Sequence, residues 1–129
     1  MPTEYIDSQT FQKDDFTIAE IQRGNYDTCH FDSCNFSGVD LSGISFAACT
    51  FVNCNLSNAQ LGNTAFKDAQ FTDCKLLGLH FNDCNDFLFE VTFTNCTLDF
   101  STFFQRKMKK TSFTNCSLIE VDFSESDLT

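Results

Sequence analysis

Three groups of residues in this chain have side chains that could do chemistry: eight cysteines, two histidines and one dense basic run, Arg106-Lys107-Met108-Lys109-Lys110. Eight cysteines in a short secreted chain would suggest a disulfide framework, and clustered ones a zinc site. The spacing supports neither, because no Cys-x-x-Cys pair occurs. A Gly-rich phosphate loop and a nucleophile elbow are also missing from the sequence. Acidic residues number 18 against 8 basic ones, a net charge of −10. Such a surface repels nucleic acid and anionic membranes, so direct binding to either is not expected. No basic leader opens the sequence at Met1-Pro2-Thr3-Glu4, and no apolar run approaches a membrane span. The expectation is a soluble cytoplasmic protein that is not an enzyme and holds no metal or cofactor.

What positions these residues is a period of five. A large apolar side chain recurs at Phe11, Phe16, Ile21, Tyr26, Phe31, Phe36, Leu41, Phe46, Phe51, Leu56, Leu61, Phe66, Phe71, Leu76 and Phe81. After one step of seven the series resumes at Leu88, Phe93, Leu98, Phe103, Met108, Phe113, Leu118, Phe123 and Leu128. A period of five suits neither a helix nor a flat strand, so the chain reads as a repeat array. Each unit can turn two side chains inward, the centre and the residue two before it, and leave three outside. The outer slots agree: Asn35, Asp40, Asn55, Asp122 and Asp127 precede centres, and Ser37, Ser42, Ser57, Thr72, Thr94 and Ser124 follow them. These types favour turns and satisfy nearby backbone groups. Gly38, Gly43 and Gly78, in the last slot, suit a turn with positive φ.

The lattice also sorts the reactive residues. Cys29, Cys34, Cys49, Cys54, Cys74, Cys96 and Cys116 fall in the small inward slot two before a centre, shared with Ala19, Val39, Ile44, Ala59, Thr64 and others. They read as reduced core filler. His30 and His80 fall in an outer slot, where a solvated surface is expected. Arg106 takes an inward slot, which a guanidinium cannot fill unpaired without a cost of several kcal/mol. Either its unit is distorted or Arg106 escapes outward. The basic run could bind an acidic partner surface or phosphate, or only offset nearby negative charge.

Segments such as Cys34-Asn35-Phe36-Ser37-Gly38, Val39-Asp40-Leu41-Ser42-Gly43 and Cys54-Asn55-Leu56-Ser57 closely resemble the consensus of the pentapeptide-repeat proteins. The resemblance covers roughly residues 9–129, with 1–8 as an N-terminal cap or lead-in. It implies an all-β fold, a right-handed quadrilateral parallel β-helix with four units per coil and about six coils. At strand spacing the rod would be about 29 Å long. Stepping four units per coil puts Cys34, Cys54, Cys74, Cys96 and Cys116 on one face. Their parallel Cβ directions disfavour disulfides, and a straight column disfavours tetrahedral zinc. The step of seven places a two-residue insertion around 84–88, with later units keeping their faces. Phe87 and Phe89 flank its centre, and at least one is expected to be exposed.

Two functional readings follow. One is a protein-interaction scaffold, with Asp86, Phe87, Phe89, Arg106, Lys107, Lys109 and Lys110 as candidate partner contacts at the breaks in the lattice. The other comes from the resemblance: the acidic Qnr-type quinolone-resistance proteins of this family mimic duplex DNA and bind DNA gyrase or topoisomerase IV. Against that reading, this chain has no long loops, and its acidity gathers in residues 1–27 and 111–129, each with a net charge of −4. A convex rod is expected to offer no pocket. The repeat runs to Leu128 with no C-terminal cap in sight, which suggests a fragment of a longer protein or an end-to-end homodimer through the last coil.

Overall fold

A computed structural model describes residues 4–108 and 110–127. The strands are short because each spans one side of a square coil: β1 (Glu4–Asp7), β2 (Thr10–Gln12), β3 (Gly24–Asp27), β4 (His30–Asp32), β5 (Ser45–Ala47), β6 (Thr50–Val52), β7 (Ala65–Lys67), β8 (Ala69–Thr72), β9 (Val91–Thr94) and β10 (Ser112–Thr114). They form two parallel sheets, one ordered β1-β3-β5-β7 and the other β2-β4-β6-β8-β9-β10. The third side is a ladder of single bridges, Asp15–Asn35–Asn55–Lys75–Thr97–Ser117. The fourth carries Asp40–Gln60 and His80–Thr102–Asp122. This is the expected four-sided parallel β-helix. β1 brings part of the 1–8 segment into the solenoid, with Ile6 packed against the core.

The corners explain why five residues suffice per side. Two positions past almost every centre lies a residue with φ near +55°, including Ser33, Asn53, Asn58, Asn63, Asp73, Asn95 and Asn115. Glycine serves at three corners only, Gly38, Gly43 and Gly78, so the expected glycine signal undercounts these turns. Ser, Asn and Asp tolerate this backbone region better than other residues, which accounts for much of the corner composition. On the third and fourth sides an amide three after most centres closes the turn onto the centre's carbonyl, as from Val39 to Phe36 (3.0 Å) and from Ile44 to Leu41 (3.1 Å).

Centres stack ring on ring along the rod. On the β2 face Phe11, Phe31, Phe51, Phe71, Phe93 and Phe113 form one column with centroid spacings of 4.7–5.4 Å. The cysteines do more than fill space. Seven of the eight cysteines donate Sγ to a carbonyl of the coil below, as from Cys54 to Phe31 (3.4 Å), Cys74 to Phe51 (3.2 Å) and Cys96 to Phe71 (3.3 Å). Thr64 and Ser101 make the same bond with hydroxyls, to Leu41 and Leu76. Burial pushes the Cys49 and Cys84 thiols up to about 12.

Candidate functional site

The repeat breaks on the β1 face. Partners are twenty residues apart from Asn25–Ser45 through Ser45–Ala65, but twenty-two apart at Ala69–Val91, Lys75–Thr97 and His80–Thr102, and twenty again at Thr97–Ser117. Later units therefore keep their faces, as the arithmetic requires. The unit at the break is centred differently from expectation. Asn85 Oδ1 accepts the Phe87 amide at 2.8 Å, the turn that Asn35 makes with Ser37 and Asn55 with Ser57. The Phe89 amide closes onto the Asp86 carbonyl, and Leu88 has the corner torsion, φ 56°. Asp86, not Leu88, holds the formal centre. The added pair is Phe89–Glu90, just past the 84–88 stretch, where the Glu90 amide rejoins the coil below at the Phe66 carbonyl.

A carboxylate cannot take a core position beside Phe66, so Asp86 turns out, with its side chain 93% exposed. Phe87 and Leu88 follow it outward, while Phe89 swings into the core. Arg106 fills the remaining space from one coil above. Its two expected fates are both corrected: the side chain is 5% exposed, and its unit keeps the normal turn, with the Arg106 amide on the Phe103 carbonyl at 2.9 Å. Nη2 donates to the Asn82 and Cys84 carbonyls, each at 2.8 Å. Nη1 lies 2.6 Å from Asp86 Oδ1, a charge contact without hydrogen-bond alignment, and Nε has no hydrogen-bond partner. The guanidinium carbon sits 4.9 Å from the Phe89 ring centroid. Carbonyls freed by the bulge, one carboxylate and one aromatic face thus stand in for water around a buried cation.

Of the residues singled out from sequence, Asp86, Phe89, Arg106 and Lys107 line one small cleft of about 170 Å3 with Gln105. Lys110 joins Asp86, Leu88, Phe89, Glu90 and Lys107 around an adjoining one, with Lys110 Nζ 4.0 Å from Glu90 Oε1. Phe87 stands on the other side of the break, with Lys67 Nζ 5.7 Å from its ring centroid. Lys109 lies outside the described residues.

Sequence reasoning missed a second feature of this face. Below the break, a shallow groove of about 400 Å3 runs along the outer surface of the β1-β3-β5-β7 sheet, which corrects the expectation of a rod without concavity. Its floor is small: Asn25, Ser45 and Ala65 in one row, Ala47 in the next, Gly43 and Asn63 beside them. Tyr5 and Phe87, 63% and 65% exposed, bound it. Tyr5 donates its hydroxyl to Asp27 Oδ2 at 2.6 Å, and this bond holds the Asp27 carboxyl below its usual range. The outer slots at spacings of twenty carry the signal, which appears only once four units per coil are assumed.

His30 Nδ1 contacts Thr50 Oγ1 in the next coil. His80 lies on the fourth face, so the two imidazoles do not meet. Among the described residues no group of three or more His, Cys, Asp and Glu could hold a metal ion, and no helix is long and apolar enough to cross a membrane.

A family model described as a pentapeptide repeat region matches residues 25–103, and a second, pentapeptide repeats in eight copies, matches 93–129. No curated protein matches the sequence. Among solved structures, a trypsin-treated variant of QnrB1, a plasmid-mediated fluoroquinolone resistance protein, is similar with a TM-score of 0.57 and 22% identity. That alignment covers 96% of this chain and 72% of the other. Full-length QnrB1 is similar with a TM-score of 0.51 and 17% identity over 98% and 94% of the two chains. At such identities the likeness is one of fold.

Proposed function

This chain belongs to the pentapeptide-repeat family, and from that premise we propose that it is a non-enzymatic rod that binds a protein partner at the break in its β1 face. One observation carries the reading. Phe87, Leu88, Lys107 and Lys110, which serve no repeat slot in the core, are all exposed around a single bulge. Elsewhere the outer slots are mostly Ser, Thr, Asn and Asp. Exposed aromatic and basic side chains around a buried, pre-organised Arg106 form a patch that a partner can anchor on. The test is affinity capture with Phe87→Ser, Lys107→Glu and Ser124→Glu chains beside the unaltered one. A partner retained by the unaltered chain and by Ser124→Glu, but lost with the first two, supports this site. Equal capture by all four removes it.

Net charge supports a second reading, a DNA-mimicking binder of DNA gyrase or topoisomerase IV. A narrow rod with a charge of −10 can occupy a basic DNA-binding surface by charge complementarity. A supercoiling assay with titrated protein decides it: inhibition, or protection against a quinolone, is the expected outcome. No effect at about micromolar protein, a usual range for specific partners, excludes it.

A further inference from the structure

The groove below the break has a symmetry in its charges that the repeat does not require. Along one outer row of the β1 face, successive coils present Asp7, Asp27, Ala47, Lys67 and then Phe87. Along the neighbouring row they present Tyr5, Asn25, Ser45, Ala65 and then Asn85. Ala47 and Ser45 mark the midpoint. One coil below it the row is negative and one coil above it positive, with Asp27 and Lys67 about 10 Å apart along the rod. Turned end for end about a two-fold axis through the Ser45–Ala47 level, the face becomes its own complement.

We infer that the β1 face is a self-association surface, on which a second copy of this chain packs antiparallel about a two-fold axis at Ser45 and Ala47. In that arrangement Asp27 of each copy faces Lys67 of the other. Ala47 faces Ala47 and Ser45 faces Ser45, so the floors can approach closely. Tyr5 of one copy comes down over Asn85 of the other, beside Phe87, which in turn covers the row at Asp7. The two most exposed aromatic side chains of the face are thereby shielded together, and each tall residue meets a smaller one. Pairs related in this way are the signature of an isologous interface. Asp27 remains anionic while it accepts the Tyr5 hydroxyl, and Lys67 keeps its cation over Phe87, so both charges are held in place before contact. The patch is about 19 Å long, four coil spacings, which is small for a specific interface. The dimer is accordingly weak, and salt weakens it further.

Sedimentation equilibrium over a wide protein concentration range, in low and high salt, reads the association directly. Asp27→Lys alone and Lys67→Asp alone each place like charges opposite one another in both symmetry-related pairs, and each should raise the dissociation constant about tenfold. The chain carrying both exchanges restores opposite charges and should recover most of the affinity. Ala47→Cys should cross-link to itself under mild oxidation, whereas Ser124→Cys, on the fourth face, should not. Circular dichroism verifies that these surface variants stay folded. A monomer throughout the soluble range overturns the inference. So does a dimer indifferent to the charge exchanges and not cross-linked through position 47, which would place self-association elsewhere, such as at the rod's end.

Discussion

The β1 and β2 faces are built from the same repeat and meet at one corner, yet one runs through six strands while the other stops at four. On the β2 face every coil contributes a phenylalanine, and the column from Phe11 to Phe113 is unbroken. On the β1 face Tyr26, Phe46 and Phe66 stack, and the next formal centre is Asp86. Pairing is recovered above it at Lys107–Asp127. The difference shows that a coil's backbone can survive loss of one inward side chain if a neighbouring coil supplies the missing volume. Arg106 does this with carbonyls that an intact sheet would have engaged.

Substitutions can break that contrast at either end. The largest loss is expected at Phe51, fully buried between Phe31 and Phe71 at 4.8 and 4.7 Å. Phe51→Ala should cost about 3–5 kcal/mol in a urea melt, because a gap in the continuous column has nothing to fill it. On the interrupted face, Arg106→Ala should cost about 2–4 kcal/mol by opening a cavity and leaving the Asn82 and Cys84 carbonyls unpartnered. Asp86→Asn at the same site should cost under about 1 kcal/mol, since that carboxylate is almost wholly in solvent. A large loss at Asp86 and a small one at Arg106 would reverse the roles given to them.

Alkali should strain both faces together. Burial raises the Cys49 and Cys84 thiols from 9.0 to about 12, and the Tyr26 hydroxyl from 10.0 to about 12. The folded chain then holds protons that the unfolded chain releases first, so stability should be full below about pH 9 and fall as pH rises toward 12. Urea midpoints at rising pH check this, and Cys49→Ala should flatten the slope. The smallest effect sharpens the contrast at a single corner. Leu88→Asn gives the positive φ a residue that tolerates it and removes an exposed apolar side chain, for an expected gain of under about 1 kcal/mol.

The solenoid was legible because its signal is local: one apolar centre and one small inward residue per five positions, with polar types between. The winding of four units per coil came from the resemblance to the family, and only the drift of two residues after Phe81 followed from counting. The centre of the broken unit did not. Leu88 is the apolar residue five before Phe93, but Asn85 makes its turn with Phe87, and that turn sets Asp86 as the centre. Apolarity pointed to one residue and turn chemistry to another, and turn chemistry prevailed. Arg106 was recognised as misplaced, but its partners Asn82, Cys84 and Asp86 lie a full coil earlier in sequence. The groove went unseen because its rows are assembled from single residues of five separate coils.

The thiol and hydroxyl bonds that Cys, Thr and Ser in the small slot make to the coil below have a further consequence, for the lengths this chain can have. Each coil is fastened to a fixed place on its predecessor, so the rod behaves like a ratchet with a tooth every twenty residues. Removing or adding a whole tooth within residues 21–80 leaves all the fastenings in step. Removing one residue there would set every later Cys, Thr and Ser against the wrong carbonyl. The twenty-two-residue coil is the one place where the ratchet slips, and a single arginine holds it there.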